Sequence, residues 1–193
     1  MSPNTAHSAN VTRGEFAEDP DIDAQFRSDE DDYDEPVFDR GHLAPSAAID
    51  FSREANDETF LYSNMTPQRA GFNRNVFGRT GVWGAIEDRN RRLLTNDRTE
   101  LLIFAGTFFD ANIQVIGDGV GVPSRFFKIV YDPIEVSAIA YWMPQDEDTR
   151  HLIANYVTTI DFIEDQTGFD FLTALDNDVA TVVESAPASV DEW

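Results

Sequence analysis

Two hydrophobic rhythms run along the chain, and the places where one gives way to the other predict its elements. From Gly81 to Thr95, the positions Val82, Trp83, Ile86, Arg89 and Leu93 recur at three-to-four spacing, which lays them on one face of a helix. Arg91 and Arg92 fall toward its C-terminal end, where cations suit the helix dipole. Beyond it the pattern tightens into short apolar runs: Leu101–Ala105 closed by Gly106, Ser124–Tyr131 after the Gly117–Pro123 turn cluster, and Ser137–Trp142. Thr59–Ser63 reads as a further short strand and Thr66-Pro67-Gln68 as a turn. Thr149–Asn155 begins a short helical piece, Val157–Ile160 is β-like, and Asp161–Leu175 and Asp178–Glu184 read as helical ends. Many strands with few helices between them predict an α+β fold with a mainly antiparallel sheet, not a parallel doubly wound one.

Residues 1–35 carry neither rhythm. They are polar and acidic and read as an irregular arm, with Phe16 and Phe26 as its strong apolar anchors. The globular pattern occupies 36–184, and 185–193 read as a tail. A length of 193 residues with 41% hydrophobic side chains suits one domain with a sizeable core. The chain has no cysteine, which excludes disulfides and a thiolate zinc site. Met1–Gly14 has neither a basic nor an apolar leader region, and no stretch approaches the ~18 apolar residues of a membrane span. The expectation is a soluble protein without a membrane partner, cytoplasmic as the sequence stands and secreted if a leader precedes it.

Charge complicates any reading that involves a polyanion. The net charge is -22, whereas proteins that bind nucleic acid usually present a basic surface. Locally the balance reverses: Arg69, Arg74, Arg79, Arg89, Arg91, Arg92 and Arg98 fall between Asn64 and Arg98, half of the 14 basic residues. There is a single lysine, Lys128. An aspartate-rich, lysine-poor surface of this kind suits a high-salt environment, where long-range repulsion is screened.

Two clusters could carry chemistry. His42 lies in Asp39-Arg40-Gly41-His42 between apolar neighbours, where an acid and an arginine can orient an imidazole acting as a base. Taken alone, such a histidine is more often structural. Downstream, Asn64-Met65-Thr66-Pro67-Gln68 is followed by Phe72-Asn73-Arg74-Asn75 and by Trp83-Gly84-Ala85-Ile86-Glu87. An asparagine carbonyl is a neutral hard-oxygen ligand, and magnesium often takes only one or two protein ligands while keeping its waters. Asparagines beside a Pro-Gln pair are, on composition alone, more often turn formers.

In this order the clusters resemble the DNA/RNA non-specific endonuclease family. The matching elements are Asp39–Pro45, Asn64–Gln68, Phe72-Asn73, Trp83 with Glu87, Val122-Pro123 to Phe127-Lys128, and Ile163-Glu164 to Thr167–Phe171. They span about Arg13 to Leu175. The resemblance implies a ββα-metal nuclease fold with a long active-site helix, and magnesium-dependent hydrolysis of DNA and RNA, with manganese as a substitute metal. It implies His42 as the general base and Asn73 as the metal ligand, with Asn75 as the alternative. Asn64 would steady the histidine, Arg40, Glu87 and Arg91 would support the metal waters and the scissile phosphate, and Arg13 would match an upstream arginine that stabilises the transition state. Contacts confined to phosphate and metal waters read no base edges, so sequence preference is expected to be weak.

The chain departs from the family pattern twice. Asn73 precedes Trp83 by ten residues where about four are usual, with Val76–Gly81 as the apparent insertion, and Met1–Thr12 lacks the usual tryptophan-containing first strand. The rival expectations are a non-catalytic acidic protein or nucleic-acid mimic, and a hydrolase of another phosphoester. Oligomeric state is left open, and a homodimer is compatible with the sequence.

Overall fold

The computed structural model describes residues 14–76, 78–96, 98, 100–146 and 153–193. The chain first forms an antiparallel ribbon from β1 (Phe38–His42) and β2 (Met65–Arg69), with Asp39 opposite Gln68 and His42 opposite Met65. Between them lies α1 (Arg53–Glu58), capped by the Ser52 side chain, which accepts the Ala55 N–H at 3.1 Å. After β2 come one helical turn, α2 (Ala70–Asn73), and a tight hairpin of β3 (Asn75–Val76) with β4 (Arg79–Thr80). The long helix α3 (Val82–Asn96) follows, close to the Gly81–Thr95 span its periodicity predicts.

Two expectations fail in this half. Thr66–Gln68 lies inside β2, not in a turn, and Pro67 is tolerated there because the ribbon has only two strands and both are edges. Thr59–Ser63 is not a strand. Leu61 makes a lone parallel bridge to Ala17, and Tyr62–Asn64 closes into a 3-10 turn, so the arm takes the backbone positions a longer ladder would have used.

The second half supplies β5 (Leu102–Phe108), the hairpin of β6 (Gln114–Ile116) and β7 (Val120–Val122), then β8 (Arg125–Asp132), β9 (Ser137–Pro144) and β10 (Val157–Thr158). The main sheet has the order β10-β9-β8-β5, and every pairing in it is antiparallel. Side chains alternate across β8 and divide the core in two. Phe126 and Val130 join Trp83, Ile86, Leu93 and Leu94 of α3, whereas Phe127, Ile129 and Tyr131 meet Ile160 and Ile163 of α4 (Ile160–Thr167) and Val183 of α5 (Asn177–Ser185). Lys128, by the same alternation, faces α3.

The helical span Asp161–Leu175 is cut short because Gly168 adopts φ 74° and its N–H closes on the Glu164 carbonyl at 2.7 Å, ending α4 at Thr167. The β-like run Val157–Ile160 shrinks to two residues because Thr159 caps α4 through the Phe162 N–H at 3.1 Å. Residues 147–152 lie outside the described residues, and 153–156 form a 3-10 turn.

Both ends of the described chain pack inward. Phe16 lies against Phe60 and Tyr62, while Phe26 is 73% exposed and anchors nothing. The second anchor is Tyr33, buried and donating to the Met65 carbonyl at 3.1 Å, a tyrosine that the apolar pattern passes over. At the other end Trp193 is buried in the same cluster as Trp83, with the Arg98 guanidinium 4.2 Å above its ring. No helix among the described residues is long and apolar enough to cross a membrane.

Candidate active site

The ribbon, α2 and the start of α3 converge on one region, and two glycines make the approach possible. A methyl at Gly41 would overlap the buried Gln68 side chain across the ribbon. A methyl at Gly84 would come within 2.7 Å of the Asn73 carbonyl, so α3 lies directly against the backbone of α2. The spacing of Trp83-Gly84 thereby places the helix that carries Glu87 and Arg91 beside Asn73.

On β1, Arg40 and His42 share one face. The Arg40 guanidinium stacks over Phe16 at 4.7 Å and donates to the Tyr62 hydroxyl at 3.3 Å and to Glu30 at 3.4 Å. The His42 ring meets Phe60 edge-on, centroids 4.9 Å apart. Its backbone carbonyl accepts the Trp83 indole N–H at 3.0 Å, which ties β1 to α3. The loop after His42 is clamped by Asn64: its Oδ1 accepts the Ala44 N–H at 2.9 Å, and its Nδ2 donates to the carbonyls of Ala44 at 2.9 Å and Thr59 at 2.8 Å. All these bonds go to backbone, so the amide sets the path of the chain on both sides of the ribbon end.

Asn73 reaches β1 from the Asp39 side. Its Nδ2 donates to Asp39 Oδ2 at 3.2 Å, and Arg74 Nε donates to the same oxygen at 2.7 Å. Committing the nitrogen in this way leaves the carbonyl oxygen as the amide atom suited to a hard cation. Asn75 is exposed on the β3–β4 hairpin, which is the Val76–Gly81 insertion folded back on itself.

A cavity of about 430 Å³ opens between the loop after His42, α3 and β5. Asn64, Glu87, Arg91 and Lys128 line it along with apolar walls that include Leu43 and Leu102. Burial raises the Glu87 carboxyl above its ordinary range, opposed by the charges of Lys128 and Arg91. Burial likewise lowers Lys128, opposed by Glu87. Arg91 is paired with Asp88 one turn back. The structure therefore gathers Asn64, Glu87 and Arg91 at one cavity, joins Asn73 to β1 through Asp39, and joins His42 to α3 through Trp83. Arg13 lies outside the described residues. Trp83 and Lys128 carry no role that the sequence assigns, and Asp39, expected from its place in the charged cluster to orient the imidazole, accepts from Asn73 and Arg74.

Among the described residues, a close group of three carboxylates occurs at Asp161, Glu164 and Glu184, on α4 and α5 behind the sheet. Proximity of Glu164, Asp161 and Asp170 adds to burial in raising Glu184.

The family model for DNA/RNA non-specific endonucleases matches residues 2–178. The chain belongs to that family. It is 31% identical over 190 residues to Nuclease C1 of Cunninghamella echinulata var. echinulata, covering 91% of this chain and 73% of that protein. It is 30% identical over 173 residues to the human mitochondrial Endonuclease G, covering 82% of this chain and 56% of that protein. Several of the curated relatives are thus matched over little more than half their length. Among solved structures, the EndoG/EndoGI complex aligns with TM-score 0.80 and 25% identity, covering 91% of this chain and 77% of that one. The endonuclease class and the α+β fold with its antiparallel sheet, both expected from the motifs, are those of the relatives. The family is one of divalent-metal nucleases acting on nucleic acid.

Proposed function

We propose that the chain is a magnesium-dependent endonuclease that hydrolyses phosphodiester bonds of DNA and RNA, with His42 as general base. The observation that carries this reading is that the strand bearing His42 is bonded to both helices that bear the other site residues: to α2 through Asp39 and Asn73, and to α3 through the His42 carbonyl and Trp83.

The donor set fits magnesium. Asn73, on α2, offers one neutral amide oxygen, and the cleft offers a carboxylate, Glu87, whose Oε1 is buried and accepts no hydrogen bond among the described residues, with Lys128 Nζ 3.6 Å away. A cation that keeps most of its waters needs few direct ligands and an acceptor for those waters. Asn73 would be the direct ligand, and Glu87 would accept hydrogen bonds from the metal's waters. When bound, the metal supplies positive charge to the phosphate as negative charge accumulates on it.

The chain's own groups do the rest. His42, as the neutral imidazole, takes a proton from the attacking water. Arg91 and Arg40 offer guanidinium donors to phosphate oxygens, the bidentate contact to which that group is suited. Trp83 holds the His42 carbonyl and Asn64 holds the backbone of Ala44 just after it, so the imidazole is presented by fixed bonds and not by a mobile loop. Arg13 is proposed as a further stabilising cation. The net charge of -22 favours a rival, a non-catalytic acidic protein, and one assay separates the two.

The test is nicking of supercoiled plasmid and cleavage of RNA across a magnesium series. His42→Ala should lose roughly 100- to 10,000-fold in rate with its melting temperature unchanged. Asn73→Ala should demand more magnesium, and Asn75→Ala should behave as the native protein. A failing Asn75 variant beside an intact Asn73 variant would reverse the ligand assignment. An inert native protein would favour the acidic rival.

A further inference from the structure

The chain's single lysine is spent in its interior. Lys128 is 1% exposed, on the α3-facing side of β8, in a protein whose other cations are all arginines. Its Nζ lies 3.6 Å from Glu87 Oε1, an ion pair longer than a hydrogen bond, and 3.7 Å from the centroid of the Trp83 ring. Trp83 is fully buried and donates its N–H to the His42 carbonyl. One ammonium therefore touches both the carboxylate that lines the cleft and the ring that carries the base.

A buried carboxylate without a counter-charge takes up a proton, and a protonated Glu87 would donate from one oxygen instead of accepting at both. A cation over an indole face is attracted to the ring and limits its movement. The charged groups facing Glu87 are Lys128 from β8 and Arg91 and Asp88 from its own helix; those facing Lys128 are Glu87 and Arg91. Arg91 is already engaged by Asp88, which leaves Lys128 as the cation given over to Glu87.

We propose that Lys128 is a positioning residue: its buried ammonium is the counter-charge that holds the Glu87 carboxyl group at the cleft and fixes the Trp83 ring that holds the His42 backbone. This deepens the function proposed above and rests on it for the consequence in rate, while the charge coupling itself can be measured without any turnover.

Because there is one lysine, lysine labelled with ¹³C at Cε gives one side-chain NMR signal in the full chain. Its titration midpoint should fall by about one pH unit or more in Glu87→Gln, which removes the opposing charge and leaves burial to act alone. The Glu87 carboxyl signal, assigned by its loss in Glu87→Gln, should move up by a similar amount in Lys128→Met. In plasmid cleavage, the acid limb of the kcat/KM profile should follow that upward shift in Lys128→Met, and the loss in the double variant should be smaller than the product of the two single losses. Unmoved midpoints would overturn the proposal, as would rate losses that simply multiply in the double variant. If Lys128→Met does not fold, the Glu87→Gln titration of Lys128 decides alone. A native protein with coupled titration and no cleavage would overturn the proposed function and leave the coupling in place.

Discussion

Trp83→Phe isolates the bond between α3 and the His42 backbone. The change keeps an aromatic ring among Phe72 and Phe126 and removes the indole N–H that lies 3.0 Å from the His42 carbonyl. Leaving that carbonyl without its donor costs about 1–3 kcal/mol. The lost five-membered ring gives up roughly 40 Å² of apolar contact, about 1 kcal/mol at ~25 cal/mol per Å². The weaker cation–π face offered to Lys128 adds ~0.5 kcal/mol. At 2–4 °C per kcal/mol for a chain of this size, the melting temperature should fall by roughly 5–18 °C. The functional consequence is separate: a base displaced by ~1 Å can lose on the order of 100-fold in rate. The kcat for plasmid nicking, measured well below the melting temperature, should therefore fall by ~10- to 100-fold, with KM little changed because substrate contacts remain. Phe72→Leu is the control, since Phe72 shares the core cluster and has no bond to His42. If Trp83→Phe melts as calculated but keeps kcat within about twofold of native, the bond serves packing only and the account of how His42 is held is wrong.

Two further predictions concern charge. Asp132 is 3% exposed; burial works against its ionisation, but the Arg98 ion pair at 2.7 Å and the N–H groups of Ile134 and Glu135 win and depress its pKa. A depressed carboxylate gives stability that is present above its unfolded pKa of ~3.9 and is lost as pH falls through the lower folded value, so Asp132→Asn should cost about 2–4 kcal/mol at pH 7 and show a shallower acid decline below pH ~4 in denaturant melts; a variant with native stability at pH 7 would refute this. The net charge of -22 should give both initial cleavage rate and melting temperature an upward trend with monovalent salt, to several tenths molar, as repulsion is screened; a monotonic fall of both from the lowest salt would sink the idea.

What was legible in the sequence was whatever depended on neighbours along the chain. The periodicity of Val82 to Leu93 located α3, the apolar runs located β5, β8 and β9, and the order of motifs located the family. What escaped depended on partners distant in sequence. Thr66-Pro67-Gln68 has the composition of a turn, yet pairing with Arg40 and Gly41 makes it a strand. Phe26 and Tyr33 could be ranked only by hydrophobicity, and the fold reversed the ranking because Tyr33 found the Met65 carbonyl for its hydroxyl. The basic run from Arg69 to Arg98 misleads most. It reads as a strip for phosphate, but Arg74 is bonded to Asp39, Arg89 to the Val190 carbonyl, and Arg98 to Asp132 and the Glu192 carbonyl, so three of its seven arginines hold the fold and its tail together.

That redistribution changes how an acidic protein could receive a polyanion. The cations near the cleft each already have a carboxylate: Arg40 has Glu30, Arg91 has Asp88, and Lys128 has Glu87. The first two partners are 79% and 48% exposed, and surface ion pairs of this kind are worth ~0–1 kcal/mol, so each can turn to solvent at little cost when a phosphate arrives. The third is buried and stays. On the proposed reading, substrate binding is then an exchange of partners at Arg40 and Arg91 around a fixed Lys128–Glu87 pair, with little net attraction before contact. Ground-state affinity stays modest, and the guanidinium donors engage most strongly where phosphate charge grows, which is the condition for binding energy to appear in kcat and not in KM.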